Sequence, residues 1–99
     1  MDIKIQAVRF EASEKLEDFI VKKVSKLSKF SEEVGNVEVT LKVVKPETAL
    51  NKEVDIKVKM PGKEFYAENV CNTFEEAVDE NVESLVRQLT KYKEKQKNR

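Results

Sequence analysis

The sequence predicts an α+β fold: a two-layer β-α-β-β-β-α sandwich, with a four-stranded sheet carrying two parallel helices on one face. Three observations predict it. Apolar residues alternate with polar ones over several short stretches, the period-2 mark of strands with one solvated face. Two longer stretches repeat their apolar residues at helical spacing. Only two Gly and two Pro occur in 99 residues, so turns are few and the elements long. A chain of this size suits one core, and residues 1–99 are expected to form a single domain.

The elements follow in order. In "MDIKIQAVRF", Ile3, Ile5 and Ala7 alternate with Lys4 and Gln6, a half-buried strand. In "EASEKLEDFIVKKVSKLSKF", Ser13 is the expected N-cap, and Leu16, Phe19, Ile20, Val24 and Leu27 recur at helical spacing. Gly35 and Asn36 break the chain before "NVEVTLKVVK", where Val37, Val39, Leu41 and Val43 face one way. Pro46 is expected to end that strand, because it cannot donate to a ladder. "KEVDIKVKM" repeats the alternation with Val54, Ile56, Val58 and Met60 inward. Pro61 and Gly62 suit the centre of a type II turn, leading into a fourth strand, "KEFYAE", whose register the sequence leaves open. Thr73 and Glu76 then form a capping box ahead of an apolar stripe of Phe74, Ala77, Val78, Val82, Leu85, Leu89 and Tyr92.

Composition narrows the function. There is no His, and Cys71 is the single cysteine, so neither a disulfide nor a zinc site has the residues it needs. No Gly-rich phosphate loop and no activated nucleophile stand out, which argues against an enzyme, a cofactor or a small-molecule substrate. Cys71 precedes the second helix, where a thiolate could be favoured, but it reads better as a packed residue. The acids Glu75, Glu76, Asp79, Glu80 and Glu83 read as a solvated face rather than a cation site. The N-terminus is strand-like rather than a secretory leader, and no apolar run is long enough to span a membrane, so a cytoplasmic protein is expected.

Charge carries the most information. The chain balances 19 Lys and Arg against 19 Asp and Glu, yet residues 87–99 hold six positive charges and one negative. Both helices are graded alike, with acids at the start and bases at the end. Acids at N-termini and bases at C-termini stabilise the helix dipole, by roughly 0.3–1 kcal/mol each. That accounts for a charge or two per terminus. With the helices parallel, both basic ends fall at one end of the domain, more like charge than a dipole requires, and an anionic partner would relieve the repulsion. Arg87, Lys91 and Lys95 follow one ridge at i, i+4 and i+8, with Lys93 and Lys97 on the opposite flank. A helix from Thr73 to Lys97, on the order of 37 Å long at 1.5 Å per residue, should overhang strands of about 20–27 Å. Lys23 sits by helical angle amid Leu16, Ile20 and Leu27, so it must emerge at an edge or snorkel outward. Tyr92 either stacks on a base or continues the packed stripe of Leu85 and Leu89, the second being the better fit. Flanking cations without a groove-reading motif suit phosphate contacts on structured RNA. The rival is a protein-interaction module using the exposed sheet face (Glu38, Thr40, Lys42, Glu53, Asp55, Lys57, Lys59).

"KKVSKLSKF" closing the first helix, and above all "LVRQLTKYKEK" in the second, resemble the ribosome hibernation promoting factor and ribosome-associated inhibitor A family over essentially the whole chain. The resemblance implies a double-stranded-RNA-binding-domain-like fold. It also implies binding to the small ribosomal subunit in the channel of mRNA and tRNA, silencing translation in stationary or stressed bacteria. The family's rRNA-contacting residues map onto Lys23, Lys26, Arg87, Lys91, Lys93 and Lys95; Lys22 and Lys29 join them by proximity. With the sequence ending at Arg99, the short form, monomeric when free, is the expectation. The chain departs from the family in its zero net charge and in the acidic start of its second helix, "TFEEAVDENVES".

Overall fold

The computed structural model describes residues 1–44 and 50–97; Pro46 and Arg99 lie outside them, as does the side chain of Lys97. The elements are β1 (Asp2–Ala7), α1 (Glu14–Val24), a 3-10 segment (Ser25–Lys29), β2 (Asn36–Val43), β3 (Lys52–Met60), β4 (Lys63–Cys71) and α2 (Phe74–Lys97). The sheet order is β1-β2-β3-β4. β1 pairs parallel to β2, from Asp2 opposite Asn36 to Ala7 opposite Leu41, which requires the α1 crossover. β2, β3 and β4 form an antiparallel meander.

Caps define the helices. The Ser13 hydroxyl accepts from the Leu16 N–H at 3.1 Å. The Thr73 hydroxyl accepts from the Glu76 N–H at 3.1 Å and donates to the Glu76 carboxylate at 3.3 Å. The box thus closes through the hydroxyl. The first helix is shorter than its periodicity suggests, because the Ser25 hydroxyl donates to the Val21 carbonyl at 2.6 Å and Ser28 to the Ser25 carbonyl at 2.8 Å. Such back-bonding competes with the helical ladder, and the chain tightens to 3-10. Three residues per turn still keep Val24 and Leu27 on the buried side and set Lys26 and Lys29 in line on the outside. The β3–β4 hairpin turns on Pro61 and Gly62, with Met60 opposite Lys63. Gly62 has φ +72°, the left-handed conformation that the third position of a type II turn requires.

The core lies between the helices and one sheet face. Val37, Val39 and Leu41 of β2, with Val54, Ile56 and Val58 of β3, meet Ile20, Val24 and Leu27 from one side and Val78, Leu85 and Leu89 from the other. Val43, expected inward, is 40% exposed at the strand's end. β4, whose register the sequence leaves open, turns Phe65, Ala67 and Cys71 inward and Tyr66 and Glu68 outward. Two polar residues enter the packed layer. Fully buried Asn81 of α2 donates to the Val54 carbonyl at 2.7 Å and accepts from the Asn69 amide.

Contacts fix the direction of α2. Glu80 meets Cys71, Asn81 meets Asn69, Gln88 meets Tyr66 and Tyr92 meets Phe65, so α2 runs back along β4 toward the β3–β4 turn. Against the first layer the order is parallel: Phe10 stacks on Phe74, Lys23 pairs with Asp79, and Lys29 shares a cleft with Lys93. The two helices therefore run the same way, as the strand order demands.

Candidate nucleic-acid interface

The basic side chains on the two helices fall into distinct settings. At the end of α2, Tyr92 is half-buried and packs edge-on against Phe65, centroids 5.5 Å apart at 76°, so the ring continues the apolar stripe. On one side of it, Lys29 and Lys93 line a cleft of about 730 Å³ with Ser28, Ser31, Glu32 and Glu33. The expected meeting of the two basic ends occurs here, with two acids beside it. On the other side, Lys91 and Lys95 line a cleft of about 450 Å³ with Lys63, Phe65, Tyr66 and Gln88. Arg87, one turn earlier on the same ridge, lines a hollow of about 390 Å³ with Glu68, Asn69, Glu80, Glu83 and Ser84.

Lys23 behaves differently. Its ammonium lies 3.3 Å from Asp79 and 5.5 Å from the Phe19 ring centroid, and its side chain is only 27% exposed. It leaves the core by pairing with the acidic start of α2, not by snorkelling to open water. Lys22 and Lys26 are exposed and, among the described residues, pair with no carboxylate. Arg87, Lys29, Lys91, Lys93 and Lys95 are likewise without an ion pair among the described residues. The eight predicted positions thus differ in their surroundings. Lys29, Lys91, Lys93 and Lys95 surround Tyr92, while Lys23 is held apart and Arg87 sits among acids.

Sequence reasoning missed Lys63. It follows Pro61-Gly62, and α2 returns toward that turn, so topology brings a lysine from the hairpin to the two from the helix. The strand order combined with the position of the turn was the available signal.

Elsewhere the chemistry is quiet. Burial pushes the Cys71 thiol up to about 11, and its Sγ donates to Glu80 at 3.2 Å, so it is a packed thiol rather than a thiolate. On the opposite sheet face, Lys59 pairs with Glu38 at 2.8 Å and holds its carboxyl below the usual range. Lys42 reaches Glu53 at 3.6 Å and Asp55 at 3.4 Å. These two acids and Glu68 converge, and burial, followed by the hydrogen bond and charge of Asp55, raises the Glu53 carboxyl. Lys42 already supplies the counter-charge. Tyr66, 50% exposed, donates to Glu68 at 3.1 Å; desolvation and that carboxylate push its hydroxyl up to about 12. Among the described residues, no helix is long and apolar enough to cross a membrane.

Fold and charge together define a small α+β sandwich, acidic where its helices begin and basic where they end. The chain belongs to the Sigma 54 modulation protein / S30EA ribosomal protein family, whose pattern matches residues 3–97. It is similar to the ribosome hibernation promoting factor of Escherichia coli strain K12, with 31% identity over 97 residues, 98% of each chain. It is also similar to that of Pseudomonas putida KT2440, with 30% identity over 98 residues, 99% of this chain and 92% of the other. A ribosomal subunit interface protein from Coxiella burnetii superposes with a TM-score of 0.82 and 27% identity, over 94% of this chain and 98% of its own. The N-terminal domain of Thermus thermophilus Protein Y shares the fold, with a TM-score of 0.78 and 22% identity over 93% and 99%.

Proposed function

We propose that this chain is a ribosome hibernation factor of the bacterial cytoplasm that docks its basic end on the rRNA of the small subunit. Membership of the family supports this, as do curated relatives bearing that name that align over 92–98% of their own length. The observation that carries the reading is the ring of lysines around Tyr92, four cations from two elements without ion pairs among the described residues, where α2 leaves the core. Such a surface suits phosphates, which take point charges from lysine without base readout. The mechanism is steric. A rigid sandwich anchored by phosphate contacts occupies the space that mRNA and tRNA need, and no bond is made or broken. The sheet face is a poorer docking surface, because Glu38, Lys42, Glu53, Asp55 and Lys59 already pair with one another.

Co-sedimentation with small ribosomal subunits across a salt series tests this. The wild type should pellet at low salt and release as salt rises, with log K falling by about 0.7–0.9 per phosphate contact for each tenfold rise in salt. Arg87→Glu/Lys91→Glu should stay in the supernatant while keeping its circular dichroism spectrum. A wild type that never pellets would sink the reading.

A further inference from the structure

We propose that the cleft between the β3–β4 turn and the last turns of α2 is a binding site for the phosphodiester backbone of an RNA strand, with Lys63, Lys91 and Lys95 as its contacts. The proposal rests on the ribosome reading and adds the hairpin end of the sheet to an interface otherwise confined to the helices. The cleft, about 450 Å³, collects three ammonium groups from two elements, with Glu64 its only carboxylate. None of the three lysines makes an ion pair among the described residues.

Lys63 is held in place. Its ammonium lies 5.5 Å from the Phe65 centroid and 5.9 Å from that of Tyr92, so two rings packed edge to face share one cation. An exposed lysine ordinarily sweeps a wide volume; this one is stationed at the cleft beside Lys91 and Lys95. Those two are one helical turn apart on the same flank, with Cβ atoms about 5–6 Å apart, a step that suits successive phosphates along one strand. Three gathered cations repel one another, and a polyanion relieves that cost.

The polar groups beside the lysines are largely occupied within the protein. Lys63 lies over the Phe65 and Tyr92 rings, the Tyr66 hydroxyl donates to Glu68 at 3.1 Å, and the Gln88 NH2 donates to the Tyr66 carbonyl at 3.0 Å and the Ser84 hydroxyl at 3.2 Å. The contact is therefore to the backbone and indifferent to sequence. The cleft on the other side of Tyr92 is the weaker anion site, because Glu32 and Glu33 stand in it beside Lys29 and Lys93. The strand thus passes on the β4 side of α2.

The experiment compares wild type, Lys63→Ala and a Lys59→Ala control, whose lysine pairs with Glu38 on the far sheet face. Each is titrated onto small ribosomal subunits through a salt series, and amine labelling of Lys63 is followed by mass spectrometry in the free and bound protein. Lys63→Ala should flatten the slope of log K against log salt by about 0.7–0.9, the value of one phosphate contact. Lys59→Ala should leave the slope unchanged, and Lys63 should be protected from labelling on the ribosome. If the wild type pellets but Lys63→Ala matches its slope and Lys63 labels equally in both states, the cleft is overturned and the ribosome reading stands. If the wild type does not pellet at all, both fall together.

Discussion

Lys23 lies at the seam between the helices, and its partner decides what it can do. Its side chain is 27% exposed and that of Asp79 50%, so the pair is wet enough to contribute no more than about 1 kcal/mol to stability. It does hold the ammonium toward the acidic part of α2 and away from the lysines around Tyr92. Asp79→Ala should therefore release Lys23 to the interface. The variant is expected to bind small subunits more tightly and with a slope steeper by about 0.9, while its unfolding free energy moves by less than about 1 kcal/mol. The salt series and a denaturant titration measure the two. An unchanged slope would mean that Lys23 does not reach rRNA even when freed.

At the scale of elements, the polar join between α2 and the sheet sets the register of the helix on β4. Asn81 is fully buried, donates to the Val54 carbonyl at 2.7 Å and accepts from Asn69. Removing it leaves the buried Val54 carbonyl and the half-buried Asn69 amide without that partner, at a cost of about 1–3 kcal/mol for a stranded buried polar group. Asn81→Ala should lower the urea midpoint without changing the slope of the transition. The lysine clefts depend on this join, because α2 reaches the β3–β4 turn only if it starts in register with Cys71 and Asn69. A midpoint equal to the wild type would assign the register to the apolar stripe alone.

Across the whole molecule, net charge is zero but its distribution is not. Both helices begin in acids, Glu14 and Glu17 in the first, Glu75 and Glu76 in the second, and the basic side chains collect where they end. Such polarity turns the basic end toward a polyanion and the acidic end away from it. Neutralising the acidic end should weaken that orientation. Glu14→Gln/Glu75→Gln is expected to elute from heparin at higher salt than the wild type, since it lowers repulsion without adding a contact. Identical elution would show that the acidic end exerts no influence on polyanion binding.

The alternation in β2 and β3, the caps at Ser13 and Thr73, the turn at Gly62 and the stripe ending at Tyr92 were all legible in the chain, because each rests on neighbours a few residues apart. The grading of charge along both helices was legible for the same reason. Other features depended on partners that sequence spacing does not bring together. Lys63 joins Lys91 and Lys95 only because α2 folds back along β4, and Lys23 meets Asp79 only because the helices pack side by side. Asn81 carried no signal in the chain, and only the fold brings it a carbonyl from β3 and an amide from β4. Local periodicity therefore determined the elements and the end of the molecule that carries positive charge. Tertiary packing decided which cations remain unpaired, since an ion pair depends on distance in space and not on separation along the chain.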